Sequence, residues 1–120
     1  MDTMIKIGNE PFLECSSKGD KRFSAFYAKL NLFNKTIEQI YQSSKIFENG
    51  QTNLSIKEAK GKSAVNQEEI KILYSELWDL YFHENPELLN VIQQYNGFTD
   101  IFGQKNHCCQ ALEVYRIRYK

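Results

Sequence analysis

Apolar positions recur at steps of three and four through the middle of the chain, the spacing that lines one face of an α-helix. Ile37, Ile40, Tyr41, Ser44 and Phe47 share a face of one helix, which Asn34 or Thr36 can cap, and Gly50 lies just beyond its end. Ser55 is followed three residues later by Glu58, the spacing of a cap in which side chain and backbone exchange hydrogen bonds. A short helix is therefore expected over Ser55 to Lys62, with Gly61 as its stop. Asn66 stands ahead of the longest stripe, Ile70, Leu73, Leu77, Leu80 and Tyr81, which runs to about Glu84. Asn85-Pro86 interrupts it. Pro86 lacks an N–H that a first turn does not need, so it can open a fourth helix with Leu88, Leu89, Ile92 and Tyr95 inward, ended by Asn96-Gly97.

The two ends of the chain carry a different pattern. Ile5 to Cys15 mixes β-branched and aromatic residues around Gly8 and Pro11, which predicts a short strand or hairpin ending at Ser16 to Asp20. Arg22 to Phe33 alternates well enough for extended structure, although Phe26 breaks the period of two. Phe98 to His107 reads as a loop, and Leu112, Val114, Tyr115 and Ile117 fit a closing strand within Cys108 to Tyr119. The expected fold is α+β: a single compact domain over residues 1–120, helix-rich in the middle, with short antiparallel strands from the N- and C-terminal segments paired.

Composition narrows the function classes. Fifteen basic residues balance fifteen acidic ones, so no global field draws the protein to nucleic acid or to an anionic membrane. Any nucleic-acid partner would have to be recognised locally. No run approaches the roughly 18 apolar residues needed to span a bilayer, and Met1 to Gly8 does not form the apolar core of a signal peptide, so no membrane is expected. The three cysteines are odd in number and two are adjacent, where a disulfide would be strained, which points to a reducing cytoplasm.

Several residues can carry chemistry. Glu38, Gln42 and Lys45 recur at steps of four and three, placing a carboxylate, an amide and an ammonium along one stripe, which is either a reactive face or a solvated one. Asp100 sits among apolar neighbours in Phe98-Thr99-Asp100-Ile101-Phe102-Gly103, where partial desolvation would suit acid or base work; a loop residue capping its own turn has the same spacing. Arg22, Arg116 and Arg118 are the arginines, and the last two would share a face of a strand, as phosphate contacts or as edge charges. His107-Cys108-Cys109, with His83 and Cys15 elsewhere, falls short of a zinc pattern, and glycine-rich nucleotide loops are absent, so neither metal nor cofactor is expected.

Taken in order, Arg22-Phe23-Ser24-Ala25-Phe26-Tyr27 and Thr36-Ile37-Glu38-Gln39-Ile40-Tyr41-Gln42-Ser43-Ser44-Lys45 resemble the S-N-F-Y and S-V-E-H-Y-x-Q-x-x-K patterns of the NADAR family. Ala59-Lys60-Gly61-Lys62 is similar to the family's A-K-x-x-G-R stretch, shortened by two, and Asn85-Pro86-Glu87-Leu88-Leu89 to its N-P-x-L segment. Asp100-Ile101-Phe102-Gly103 resembles D-x-x-W-G, and Ala111 to Arg118 its closing L-M-x-V-R strand, so the resemblance covers about residues 22–118. It implies an N-glycosidase that hydrolyses the C–N bond of an ADP-ribose-like or ribosylamino substrate, with Glu38 and Asp100 as catalytic carboxylates. It assigns Arg22, Phe23, Tyr27, Gln42, Lys45, Phe102 and Arg118 to substrate binding. The implied partner is a small-molecule nucleotide or riboside, extending to ADP-ribosylated guanine in nucleic acid. Two departures stand out: Val65 and Asn66 occupy the place of a pocket tryptophan, and Cys108-Cys109-Gln110 stands near the family's asparagine-leucine-glycine turn. They leave open a protein that sequesters an NAD-derived nucleotide without cleaving it. A protein-interaction module is the remaining alternative, should the aromatic side chains form a surface patch.

Overall fold

The computed structural model describes residues 5–101 and 109–120. Its elements run β1 (Ile5–Gly8), β2 (Phe12–Glu14), a 3-10 turn at Lys21–Phe23, β3 (Lys29–Leu30), β4 (Lys35–Thr36), α1 (Ile37–Ser43), α2 (Ile56–Ala59), α3 (Gln67–Glu84), α4 (Glu87–Ile92), β5 (Gly97–Asp100) and α5 (Gln110–Arg118). This is an α+β domain, as the patterning predicts, but the sheet is assembled differently. β5 lies in the centre, antiparallel to β1 (Ile5 opposite Asp100) and parallel to β2 (Phe12 opposite Gly97). The expected hairpin over Ile5 to Cys15 is thus split, its two strands flanking a third that arrives from the end of the fold.

β5 falls where a loop is expected, and all four of its residues are buried. Gly97 makes the position possible: a Cβ there would collide with the Phe12 ring and come within 2.6 Å of the Asn9 carbonyl oxygen. A glycine that looks like a helix stop is therefore also what lets β2 approach the central strand.

The expected closing strand over Cys108 to Tyr119 is instead the helix α5. Its buried positions, Gln110, Ala111, Glu113, Val114 and Ile117, follow helical spacing, while Leu112 is 49% exposed, which a half-buried strand using Leu112, Val114 and Tyr115 does not explain. β-branched Val114 and Ile117 favour a strand locally, and packing overrides that preference. Arg116 and Arg118 accordingly lie on a helix. Arg116 bridges Glu113 (2.9 Å) and Asp79 (3.0 Å), and Ser75 donates to Glu113 at 2.8 Å, locking α5 to α3.

Extended structure over Arg22 to Phe33 is also replaced. After the 3-10 turn, Tyr27 and Ala28 both donate backbone N–H groups to the Ser24 carbonyl, closing a turn around the out-of-phase Phe26, and only Lys29–Leu30 is strand. That strand pairs with β4 as a second, two-stranded sheet. α1 starts where Thr36 predicts it, with Thr36 and Gln39 exchanging cap bonds. It ends at Ser43, before the expected Phe47, because the Ser43 and Ser44 hydroxyls both donate to the Ile40 carbonyl and compete with the helical ladder.

Ser55 and Glu58 cap α2 as their spacing predicts. Asn66 precedes α3 but does not cap it; its side chain accepts from Ile46 N (2.9 Å) and donates to Ser44 O (3.0 Å), fastening the chain after α1 to the start of α3. Phe23, Leu30, Ile37, Trp78, Ile92, Phe98 and Val114 form the centre of the core, with Trp78 ringed by Tyr74, Tyr81 and Phe82. Most of the aromatic side chains are spent in this way, although Tyr27, Phe33 and Tyr119 are exposed. No helix among the described residues is long and apolar enough to cross a membrane. Trp78→Ala is expected to cost about 3–5 kcal/mol of stability in urea denaturation, against less than about 1 kcal/mol for Ile72→Ala on the exposed side of α3.

Candidate active site

The polar stripe Glu38, Gln42 and Lys45 is not a solvated face. These side chains retain 8%, 4% and 6% of their exposure, which is unusual for such residues and demands internal partners. The local cause is the start of α1. Its first two N–H groups, which a helix cannot satisfy itself, donate across to the preceding turn: Ile37 N to Ala28 O at 2.9 Å and Glu38 N to Ala25 O at 3.0 Å. The first turn of α1 is thereby drawn inward, with Glu38 on its buried side.

Gln42, one turn further along α1, donates its amide Nε2 to Glu38 Oε2 at 2.6 Å. Burial pushes the Glu38 carboxyl above its ordinary 4.5, while the Gln42 bond and the charges of Lys45 and Lys60 pull the other way. Lys45 lies just past the end of α1. Its Nζ donates to Lys62 O at 3.1 Å and Ala59 O at 3.4 Å, and packs 5.2 Å from the centre of the Tyr41 ring. The ammonium thus holds the chain at the end of α2 beside Glu38.

Asp100 closes β5 and is 2% exposed. Cys109 directs its thiol to Asp100 Oδ2 at 3.8 Å. Burial, with the nearby Asp100 carboxylate, raises the Cys109 thiol to about 11 and pushes Cys15 higher still. Neither thiol is poised as a nucleophile at neutral pH. His107 and Cys108 lie outside the described residues, as does Phe102.

Gln110, which carries no recognisable signal in the sequence, ties α5 to the Ala25 turn. It is buried in the first turn of α5, and its Oε1 accepts from Ala25 N at 2.7 Å. One peptide segment at Ala25 therefore binds Gln110 through its N–H and Glu38 through its carbonyl, while Cys109, adjacent to Gln110, contacts Asp100. The Ala25 turn thereby touches both α1 and α5, and the residue ahead of α5 touches β5. Among the described residues, three buried polar atoms have no hydrogen-bond partner, and two of these belong to α1 and the Ala25 turn: Gln42 Oε1 and Ser24 Oγ.

The remaining candidates fall elsewhere. Phe23 is fully buried and stacks on Phe82 in the core. Arg22 is exposed and engaged with Asp20, at 2.6 Å between Nη2 and Oδ2. Tyr27 is 53% exposed, with the Lys21 ammonium 4.8 Å from its ring centre. Arg118 donates to Tyr95 O at 3.0 Å, roughly 12 Å along α5 from Gln110 and at the opposite end of β5 from Asp100. Val65, at the place of the pocket tryptophan, is 64% exposed, and Trp78 is a core residue. No family model and no curated protein sequence matches the chain.

Two outcomes follow from this geometry. Glu38 binds its proton more tightly when folded, so its favourable contribution is complete below its ordinary 4.5 and is lost as pH rises through the elevated folded value. Glu38→Gln should therefore gain stability relative to wild type progressively as pH rises above about 4.5, read from urea midpoints at each pH. Gln110→Ala leaves the buried Ala25 N–H without its acceptor and should cost about 1–3 kcal/mol in the same assay.

Proposed function

We propose that the chain is an N-glycosidase that hydrolyses the C–N bond of an ADP-ribose-like or ribosylamino substrate at the Glu38–Asp100 patch. The observation that supports this most directly is that Glu38 and Asp100 are both buried carboxylates, with the Glu38 backbone bonded to Ala25, Ala25 to Gln110, and the neighbouring Cys109 thiol directed at Asp100. Breaking a glycosidic C–N bond develops positive charge on the sugar, and a carboxylate in a site shielded from water stabilises that charge more than one in solvent. Asp100 takes this role. Glu38, whose burial raises its affinity for a proton, removes a proton from the attacking water as the C–O bond forms and the base departs with the C–N electron pair. Gln42 holds the Glu38 carboxyl with its N–H and keeps Oε1 as an acceptor for a sugar hydroxyl.

Resemblance to the NADAR pattern adds to this reading, since Glu38, Gln42 and Lys45 carry its E-x-x-x-Q-x-x-K spacing and all three are buried. One observation favours the alternative of a non-catalytic protein that sequesters an NAD-derived nucleotide: exposed Val65 supplies no aromatic wall where the family places its tryptophan. The two readings differ in what becomes of the ligand. Incubation with NAD, ADP-ribose, cyclic ADP-ribose and ADP-ribosylated guanosine, followed by mass spectrometry of released molecules, should show hydrolysis by wild type, reduced about 100- to 10,000-fold in Glu38→Gln. Ligand retained through desalting and released intact would instead establish sequestration.

A further inference from the structure

The loop after α2 is held in a way that an ordinary surface loop is not. Buried Lys45 donates to the carbonyls of Ala59 and Lys62, so one ammonium grips the backbone on either side of Lys60. Lys60 itself is exposed. Its Nζ rests 5.3 Å from the centre of the Phe26 ring, and Phe26 directly follows Ala25, whose carbonyl receives the Glu38 N–H. The Lys60 charge is close enough to act on the Glu38 carboxyl. Yet no carboxylate among the described residues forms an ion pair with it.

The other cations proposed for anion binding are already committed. Arg22 is paired with Asp20, Arg116 with Glu113 and Asp79, and Lys45 with the two loop carbonyls, while Arg118 lies at the far end of β5. An aromatic face topped by an ammonium offers two kinds of contact at once: a stacking surface, and a donor that can leave the ring to meet an anion.

We propose that Lys60, presented by the Lys45-clamped loop against Phe26, is the specificity residue through which the Glu38 site selects ligands bearing a phosphate over the same ligands without one. This rests on the riboside reading of the site for the kind of ligand, though not on whether the ligand is cleaved.

The test is equilibrium binding of ribose 5-phosphate and of ribose, by calorimetry or ligand-observed NMR at low salt, to the full chain. Wild type should prefer the phosphorylated sugar by roughly tenfold or more, the scale of one charge-assisted contact. Lys60→Gln should reduce that preference to within about twofold, Lys60→Arg should retain most of it, and Lys57→Gln, on the exposed face of α2, should leave it unchanged. A preference that survives Lys60→Gln overturns the proposal, and so does a wild type that binds neither sugar or both equally. Glu38-dependent hydrolysis alongside either of those results would remove Lys60 from the site while leaving the glycosidase reading in place. A Lys60-dependent preference in a protein that cleaves nothing would do the reverse.

Discussion

A buried stretch of chain without regular secondary structure must find partners for its peptide groups elsewhere, because an unpaired N–H or carbonyl out of water costs about as much as a lost hydrogen bond. The turn from Ser24 to Ala28 is such a stretch, with Ser24, Ala25 and Ala28 almost fully buried. Its carbonyls at Ala25 and Ala28 are satisfied by the first N–H groups of α1, and its Ala25 N–H by the Gln110 side chain of α5. The requirement is mutual, since the start of a helix has N–H groups to spare. Meeting it brings two elements far apart in the chain to one point, and Glu38 is carried in with them.

Several parts of this arrangement are legible from residue order. The caps at Thr36 and Ser55, the long stripe of α3 and the break at Asn85-Pro86 are local signals, and local signals survive folding. The E-x-x-x-Q-x-x-K spacing likewise singles out Glu38, Gln42 and Lys45, although spacing alone could not tell a buried face from a wet one. What decided that was the contact with Ala25, a residue with no side-chain functionality to attract notice. α5 was unreadable for a related reason: its β-branched residues favour a strand, and the sheet and α3 that make a helix preferable come from the other side of the sequence. Lys60 and Gln110 escaped because their roles depend on those same long-range encounters.

The patch is expensive to maintain. A carboxylate, an amide, an ammonium and a second carboxylate are nearly shut away from water, and burying ionisable groups costs several kcal/mol each unless partners compensate. A domain of this size has roughly 5–15 kcal/mol of net stability in all. A core built for stability alone would carry apolar side chains at these positions, so this buried polarity stands apart from the Trp78 core, where the side chains are aromatic and aliphatic.

The central place of β5 has a consequence for how the chain acquires its shape during synthesis. β1 and β2 emerge first but have no strand to pair with until Gly97–Asp100 has been made. At about 5–20 residues per second, the leading strands wait several seconds on the ribosome with unpaired edges while the helices between them form. Both strands are short, and β1 alternates half-buried with exposed residues, Lys6 among the exposed. Brevity and charge make a waiting edge a poor template for aggregation, so the same sparseness that limits the sheet also keeps the nascent chain soluble until that sheet can close.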